Sequence, residues 1–544
     1  MPPFHNNKEI VTFRREIINF MLYNKYMIKR INDQNEMSIF LSDESRRTGT
    51  AAEICFPQTA GEISALLRED INTPVTIQGG RTGVTAGAVP ESGIAINLSG
   101  MNKVLRMPFA AADASSVSDT GSVSDTNLSG SLTAAVHPGV LLTSLQEQLH
   151  PLGLFFPPDP TETTASIGGM VSCNSSGACS YRYGATRNHI RSLEMVLADG
   201  DTLSIRRGEH HAKAGRFALT TDGGRVISGT LPQVTMPNVK KHTAGYFIRP
   251  DMDMIDLFIG SEGTLGIITS IEIDLLPEPK HLWGAVVFFE TEESALRFVH
   301  LLRDEAPAAP QAIEFFGIDT LEMLRGAQES GAALTGMTKV PSGCAVYTEF
   351  ASKNREDLEP LCRILGSLIT EAGGDPADSW FAFRGPDMVR LKEFRHAAPV
   401  CVNERVSEIR KSHSTITKLG TDMSVPDSRL DEVFAMYRGD LARERFQTSL
   451  FGHIGNNHLH CNIIPRDEEE YLRGKELYTC WAEEIVRMGG SVSAEHGIGK
   501  LKTWLLKKLY TKDELGAMFE LKRLFDPQLR LNPGNIFGYN IQEK

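Results

Sequence analysis

The stretch PVTIQGGRTGVTAGAVP, residues 74–90, joins a strand-like run to a glycine-rich turn. After the run at 74–78, the turn carries Gly79, Gly80, Gly83 and Gly87. Glycine lets a backbone approach a ligand closely, and successive N–H groups then form a cavity for phosphate oxygens. The spacing of these glycines matches neither the P-loop of nucleoside triphosphatases nor the dinucleotide-binding βαβ fingerprint. The residues alone leave two interpretations open, a hairpin turn or a phosphate cradle.

Two further glycine-rich segments favour the cradle. Residues 157–184 contain a loop of small and polar residues, and residues 259–268 place three glycines around Glu262 and Thr264. Each segment lies beside a strand-like run. Three such loops exceed what turns require, and they suit a long ligand whose diphosphate lies against backbone.

The motifs GGRTGVTAGAVP, FPPDPTETTASIGG, VSCNSSG, YGATRN, LADGD and GSEGTLG together resemble flavoproteins of the vanillyl-alcohol oxidase type. The resemblance covers most of residues 48–280 and implies an α+β fold in which two subdomains hold FAD. An α+β substrate cap domain with C-terminal helices would follow. Where flavin is attached covalently, a histidine follows the paired glycines; Arg81 stands there in this chain, which implies non-covalent FAD. The implied cofactor-binding residues are Gly79, Gly80, Thr82, Gly83, Gly87, Asp159, Ile167, Gly168, Gly169, Asn174, Gly177, Gly263 and Ile267.

Changes in the pattern of apolar, polar and glycine residues along the chain predict its domain organisation. The predicted parts are an N-terminal helical segment (1–47, with one amphipathic helix over 8–32), an FAD-binding domain (48–280), a substrate or cap domain (281–490) and a C-terminal segment (491–544) that returns to the active site. Insertions are expected near 107–132 and 206–245. Apolar runs on both sides of Asp199-Gly200, within 193–205, predict a hairpin with a type I′ turn. Further strands are predicted at 283–290 and 343–350, and a helix at 293–305.

A second chemical pattern is FGHIGNNHLHCN, residues 451–462. Residues 455–457 predict a turn, so His453 and His460 are expected to face one another across a hairpin, while His458 and His460 share a strand face. The segment 493–502 adds Glu495 and His496. His453, His460 and Glu495 are a ligand set for zinc or a similar divalent cation with open positions, and His496 is left free as an acid or base. The ordinary alternative is structural histidines and a surface ion pair.

Both segments resemble the C-terminal half of the FAD-linked 2-hydroxy acid dehydrogenases, which include D-lactate dehydrogenases, D-2-hydroxyglutarate dehydrogenases and the flavin subunit of glycolate oxidase. The usual pattern there, G-H-x-G-D-G-N-L-H, is kept except at Asn456-Asn457-His458. The resemblance implies that Arg395 anchors the substrate carboxylate and that Asn462 helps to orient the substrate. A lysine usual in the family is replaced by Gly420, which favours lactate- or glycolate-sized substrates over 2-hydroxyglutarate.

The predicted reaction is FAD-dependent oxidation of a small 2-hydroxy acid, foremost D-lactate to pyruvate. The cation would lower the pKa of the hydroxyl, His496 would take its proton and hydride would pass to FAD. The eight cysteines form no C-x-x-C pair, so electrons are expected to pass to a separate cytochrome, quinone or electron-transfer flavoprotein. Three alternatives stay open: oxidation of glycolate or D-2-hydroxyglutarate, a flavin transferase like alkyl-glycerone-phosphate synthase, and a non-enzymatic flavin-binding protein.

The composition of the chain limits the classes of partner that it is expected to bind. With 544 residues and a net charge of −12, the chain lacks the basic footprint of a nucleic-acid binder, so an anionic substrate needs local cations. No apolar run approaches the roughly 18 residues of a membrane span. A cytoplasmic protein with reduced thiols is expected. The basic helix predicted at 8–32 leaves peripheral membrane contact open, and homo-oligomerisation is equally open.

Overall fold

The computed structural model describes residues 28–108, 132–306, 308–352, 354–383 and 385–539. The strands in chain order are β1 (Lys29–Ile31), β2 (Glu53–Phe56), β3 (Val75–Gln78), β4 (Ile94–Asn97), β5 (Val104–Arg106), β6 (Thr133–Val136), β7 (Leu154–Phe155), β8 (Ile190–Val196), β9 (Thr202–Arg206), β10 (Arg216–Thr220), β11 (Val226–Thr230), β12 (Ile267–Asp274), β13 (Leu276–Pro277), β14 (His281–Phe289), β15 (Ala312–Phe316), β16 (Cys344–Ser352), β17 (Trp380–Ala382), β18 (Leu419–Gly420), β19 (Met423–Ser424), β20 (Thr448–His453) and β21 (His458–Ile463). The helices are α1 (Gln34–Met37), α2 (Ala60–Glu69), α3 (Leu142–Leu149), α4 (Ile167–Cys173), α5 (Ser180–Tyr183), α6 (Ile255–Phe258), α7 (Glu292–Glu305), α8 (Ile318–Glu329), α9 (Leu358–Ala372), α10 (Gly385–Arg410), α11 (Leu430–Glu444), α12 (Glu468–Arg487), α13 (Thr503–Leu509) and α14 (Lys512–Phe525). The insertion predicted near 107–132 falls almost wholly outside the described residues.

A small sheet in the order β1-β2-β4-β3 carries the first glycine-rich loop. Strands β2, β4 and β3 run parallel. Helix α2 turns its apolar face into the same buried cluster as Val75 and Ile96, because its apolar residues recur at helical spacing. Residues 79–87 follow directly on β3. The glycines therefore lie at the carboxyl edge of parallel strands, the edge at which open α/β sheets bind ligands.

The helix predicted over 8–32 is wrong at its C-terminal end, and residues 1–27 lie outside the described part of the chain. Lys29–Ile31 form β1, an edge strand antiparallel to β2. The open edge of β2 supplies backbone hydrogen-bond partners to this segment. Arg30 adds ion pairs with Glu53 at 3.0 Å and with Glu69 at 2.5 Å. These contacts outweigh the helical periodicity of the preceding residues.

A five-stranded antiparallel sheet follows, in the order β5-β6-β12-β8-β9. The predicted hairpin within 193–205 is confirmed as the β8–β9 pair. Its turn differs from the prediction, because only Gly200 among the central residues has positive φ, at 79°. Leu197 N donates to Asp201 O at 2.8 Å and Gly200 N to Leu197 O at 2.9 Å. This is a three-residue loop, a type I turn closed by a glycine bulge.

Residues 206–245, predicted as an insertion, begin with the hairpin β10–β11 and then extend towards the centre of the molecule. We call residues 239–246 the strap. Thr243 N in the strap donates to Ser493 O at 2.9 Å. The hydroxyl of Ser424 donates to Lys241 O at 2.7 Å. The strap therefore joins the sheets of the N-terminal half to β19 and to the segment that follows α12.

The largest sheet is antiparallel, in the order β17-β14-β16-β15-β20-β21-β18, with β19 paired to β21. The strands predicted at 283–290 and 343–350 and the helix predicted at 293–305 are confirmed as β14, β16 and α7. Alternate residues of β14 enter different apolar clusters: Val287 packs with α7 and α9, and Val286 packs with α8 and α10. Both faces of the sheet are thus covered, which fits the largely apolar sequence of β14.

The C-terminal residues return to the first sheet. Val75 N donates to Arg530 O and Asn532 N donates to Val75 O, both at 2.8 Å. Glu262, in the third glycine-rich loop, accepts N–H groups from Ile498 and Gly499 at 2.6 and 2.8 Å. Across the described ranges, none of the helices is both long and apolar enough to pass through a bilayer.

Candidate active site

The β20–β21 hairpin sets three imidazoles on one face of the large sheet. The predicted turn is confirmed, with a 3₁₀ turn at 454–456 and Asn457 at φ 54°. Its length pairs His453 directly with His458, whereas His460 lies opposite Phe451. Cross-strand partners point to the same side of a sheet, as do residues i and i+2. The ring centroids are accordingly 4.5–5.5 Å apart.

A carboxylate from a distant segment completes this cluster. Glu495 Oε2 lies 3.3 Å from His453 Nε2 and 3.9 Å from His458 Nδ1. One candidate ligand atom from each of His453, His458, His460 and Glu495 falls within 4.8 Å of all the others. Zinc bonds of about 2.0–2.2 Å place tetrahedral ligand atoms roughly 3.4 Å apart. In ligand type and spacing, the cluster fits a divalent cation.

The outer nitrogens of two of these imidazoles are fixed by acceptors. His453 Nδ1 donates to Glu314 Oε1 at 2.7 Å, and His460 Nδ1 donates to the backbone carbonyl of Thr421 at 3.1 Å. Metal-ligating histidines use such outer acceptors, which orient the ring and select its tautomer. In both residues the arrangement turns Nε2 towards the centre of the cluster.

Glu495 is held by the strap. Lys241 Nζ donates to Glu495 Oε1 at 2.6 Å, and the Ser176 hydroxyl donates to the same oxygen at 2.6 Å. Lys241 is almost fully buried, with 2% of its side chain exposed. These two donors occupy Oε1 and leave Oε2 facing the imidazoles. The carboxylate is thereby prepared for coordination through one oxygen.

Burial and neighbouring charges within the cluster strongly shift the pKa values of its side chains. Burial disfavours the charge on His453, but the carboxylates of Glu314 and Glu495 outweigh burial and raise the pKa of His453 to about 9. Burial also opposes the charge on Glu495, yet His453 and Lys241 lower its pKa well below the ordinary range. Burial and the neighbouring His458 lower the pKa of His460 well below 6.5. Glu495 is charged and His460 is neutral, as ligands must be, whereas His453 carries a proton that it must release when a cation binds.

His496 stands beside the cluster on the cleft wall. Its ring lies nearly parallel to that of His460, with centroids 5.7 Å apart. Its Nδ1 is 3.6 Å from Asp422 Oδ2, the oxygen that also accepts from Lys502 Nζ at 2.8 Å. Burial lowers the pKa of His496 to about 4, against the opposing effect of Asp422. A neutral imidazole open to the cleft can accept a proton.

The cluster and the glycine-rich loops line one cleft of about 1490 Å³. Of the predicted cofactor residues, the structure places on its wall Gly79, Gly80, Thr82, Gly83, Gly87, Gly168, Gly169 and Gly263. A Cβ placed on Gly83 would have no described heavy atom within 4 Å, so this glycine faces open space. The loops fit a ligand that lies against backbone.

Five predicted cofactor residues lie behind this wall. Ile167 and Ile267 are fully buried. Asn174 Oδ1 accepts from Arg187 N, and Asp159 Oδ1 accepts from Cys179 N, both at 2.9 Å. A Cβ on Gly177 would come within 2.0 Å of Asp159 O. These residues shape the loops, and the cofactor contact predicted for them stays a prediction.

Arg395 and Asn462 reach the same cleft from α10 and β21. Arg395 Nη2 lies 2.8 Å from His396 Nε2, and its buried Nε makes no hydrogen bond within the described structure. The amide nitrogen of Asn462 donates to the carbonyls of Ser449 and His460. The Asn462 Oδ1 atom is left as its acceptor towards the cleft.

Sequence reasoning missed the residues that support the cluster. Lys241 lies in a predicted insertion and Glu314 in no recognised motif, whereas Ser176 lies in VSCNSSG and Asp422 lies two residues after Gly420, both without a predicted role. His458 departs from the family pattern, and the sequence alone leaves open whether it adds a ligand or reshapes the substrate contacts. The four-residue turn could have identified it, since that length pairs residue 453 with residue 458.

Two protein-family models match separate parts of the chain. Residues 51–206 match the family described as FAD binding domain, and residues 278–536 match FAD linked oxidases, C-terminal domain. Together the two matches cover most of the chain.

Curated relatives match along nearly the whole length. They include glycolate oxidase subunit GlcD of Bacillus subtilis, 27% identical over 90% of this chain and 89% of that protein. A D-lactate dehydrogenase of Anaerostipes hadrus is 28% identical over 91% and 92%. A D-2-hydroxyglutarate dehydrogenase of Stutzerimonas stutzeri is 25% identical over 94% and 96%.

A solved structure of alkyldihydroxyacetonephosphate synthase shares the fold, with a TM-score of 0.62 at 16% identity over 98% of this chain and 85% of that one. These matches confirm the predicted α+β flavoprotein fold and the family resemblance. FAD is the cofactor that the matched binding domain implies. The chain therefore carries an FAD binding domain followed by the C-terminal domain of FAD linked oxidases.

Proposed function

We propose that this protein oxidises a small 2-hydroxy acid, foremost D-lactate, to the 2-oxo acid. FAD bound without a covalent link would accept hydride, and a divalent cation, foremost zinc, on His453, His460 and Glu495 would act as Lewis acid. The single observation that carries the proposal is that the glycine-rich loops and the cation cluster line one cleft. The dehydrogenases and oxidase subunit among the relatives support the substrate class.

The chain's own residues would bind and orient the substrate. Arg395 supplies local positive charge for the carboxylate in a protein of net charge −12. Asn462 would help to orient the substrate from β21, while the cation and His496 would hold the hydroxyl group. Holding both groups fixes the C–H bond in one direction, which is the positional part of catalysis.

His496 would take the hydroxyl proton. Its low pKa leaves it neutral above about pH 5, and its ring borders both the cleft and the cluster. Asp422 and Lys502 lie on the side of Nδ1 and would position the ring. His496 would hold the hydroxyl proton, and the flavin held by the glycine-rich loops would supply the two-electron acceptor for the hydride. The electrons would leave to a separate acceptor, since the described cysteines are all unpaired thiols.

One observation favours D-2-hydroxyglutarate as a second candidate substrate. Lys418 Cε lies 3.6 Å from the Cβ position of Gly420, so its side chain crosses the place from which the family's lysine would extend. Lys418 also lines the cleft, where its Nζ donates to Asn403 Oδ1 at 3.1 Å. A second carboxylate could bind there. The likeness to alkyldihydroxyacetonephosphate synthase is one of fold, and no feature of the described site favours a transfer reaction.

The test is an anaerobic panel of D-lactate, L-lactate, glycolate and D-2-hydroxyglutarate, followed by flavin absorbance. The proposal expects rapid bleaching by a D-2-hydroxy acid or glycolate and none by L-lactate. A flavin-loaded, metal-loaded protein that no member of the panel reduces would contradict it.

A further inference from the structure

His458 differs from the other cluster members in where it lies. It is fully buried on β21, directly across the hairpin from His453. His453, His460 and Glu495 border the cleft, whereas His458 lies on the protein side of the cluster. Any cation held by the first three residues would therefore have His458 behind it.

The two ring nitrogens of His458 make no hydrogen bond of good geometry to any described residue. A buried polar atom without a partner is unfavourable and uncommon. Nε2 faces Asp422 Oδ1 at 3.3 Å. Asp422 is itself fixed, because its carboxylate accepts from the Ser493 hydroxyl at 2.7 Å and from Glu495 N at 3.0 Å. Asp422 is thus a ready outer acceptor for Nε2–H, in the position that Glu314 occupies for His453.

With Nε2 turned to Asp422, His458 Nδ1 presents its lone pair to Glu495 Oε2 at 3.9 Å. Two acceptors that face each other in a buried site repel unless a positive charge lies between them. His460 Nε2 converges on the same point. All three imidazoles then have the same design, with an outer acceptor and an inward nitrogen.

We propose that His458 is a direct cation ligand, which makes the centre a set of three histidines and one carboxylate. This inference rests on the cation of the proposed function. His458 closes the inner side of the cation, so a substrate oxygen from the cleft would enter as a fifth ligand, a coordination number that zinc reaches in catalytic sites. Four protein ligands also keep the cation in place when product leaves, whereas a site with three retains it less firmly.

The experiment counts coordinated imidazoles by zinc K-edge X-ray absorption on the zinc-loaded holoenzyme. Three imidazoles are expected in the wild type and two in His458→Asn, which carries the residue usual in the resembling dehydrogenases. The zinc dissociation constant should rise by more than the about 10–100-fold that loss of an outer partner costs. His189→Asn is the matched control, because His189 is also buried but donates to Tyr183 O at 2.8 Å in the FAD-side domain.

The outcomes separate this inference from the proposed function. Two imidazoles in the wild type, or unchanged zinc affinity in a folded His458→Asn variant, would overturn the role of His458 and leave the cation itself standing. A wild-type holoenzyme that binds no zinc or other divalent cation would overturn both. If His458→Asn does not fold, the imidazole count of the wild type still decides.

Discussion

Replacing Lys241 tests whether the strap holds the carboxylate of the cluster. Lys241→Met keeps most of the side-chain length but removes the charge and the donors to Glu495 Oε1 at 2.6 Å and to Gly177 O at 3.1 Å. Removing one partner of a buried ion pair costs about 3–5 kcal/mol, because the other charge is left uncompensated. The imidazole of His453 still faces Glu495 Oε2, so we expect the lower end, about 3 kcal/mol.

The neighbouring lysine provides the control. Lys240 is 43% exposed and pairs with Asp427 Oδ1 at 3.1 Å. An exposed pair of this kind contributes about 0–1 kcal/mol, so Lys240→Met should unfold at nearly the wild-type urea concentration. The two variants differ by one position in sequence and remove the same charge. Their comparison isolates burial and the contact with Glu495.

Two measurements follow this pair of variants. Urea unfolding, monitored by circular dichroism and by flavin fluorescence, reports stability. Competition with a chelating dye reports zinc affinity, which should fall about 10–100-fold in Lys241→Met because Glu495 is no longer oriented. If Lys241→Met matches Lys240→Met in both measurements, the role assigned to the strap is refuted. A loss of stability with unchanged zinc affinity would reduce Lys241 to a packing role.

Four other variants test the base, a buried carboxyl and the cofactor cradle. His496→Ala should slow flavin reduction by D-lactate about 10²–10⁴-fold while FAD stays bound; stopped-flow absorbance measures it, and an unchanged rate excludes this base. Burial raises the pKa of Glu262 to about 7, although N–H groups of the 493–502 segment favour its charged form. The pKa of Glu262 is higher in the folded protein than its unfolded value of about 4.3. The stability that the neutral carboxyl contributes to the wild type is therefore lost as pH rises from about 4.3 to 7. Glu262→Gln should therefore gain thermal stability relative to wild type between those pH values, and a constant difference in melting temperature would contradict this. Gly83→Val should abolish FAD binding, because the added side chain would occupy the cradle, and should leave the melting of the apoprotein unchanged, because its Cβ meets no described atom within 4 Å. Gly177→Ala should destabilise the apoprotein, because its Cβ would come within 2.0 Å of Asp159 O. FAD binding retained by Gly83→Val would contradict the cradle, and equal melting of the two glycine variants would contradict the packing contrast.

Local patterns predicted much of the fold. The glycine-rich loops, β14, β16, α7 and the β20–β21 hairpin follow from periodicity and turn residues that lie within a few positions of each other. The exceptions have physical causes. At 29–31 an open sheet edge replaced the predicted helix, and at 197–201 a single positive φ selected a three-residue loop.

The site was predictable only in part, for a reason of distance along the chain. Motifs identified His453, His460 and Glu495, and the structure brings His453 and Glu495 within 3.3 Å. Lys241 is an ordinary charged residue in sequence and Asp422 belongs to a motif that assigns it no contact with the histidines, and only the folding of the strap and of β18–β19 brings them to Glu495 and His458. Pairings of this kind depend on tertiary packing, so a local pattern does not contain them.

The most direct test of the account is flavin reduction before and after removal of the cation. The zinc-loaded holoenzyme should be bleached by D-lactate under anaerobic conditions. The chelator-treated protein, with its FAD retained, should be bleached far more slowly, and added zinc should restore the rate. Bleaching at the same rate in the loaded and the chelated protein would contradict the claim that this cleft joins a cation to the flavin chemistry.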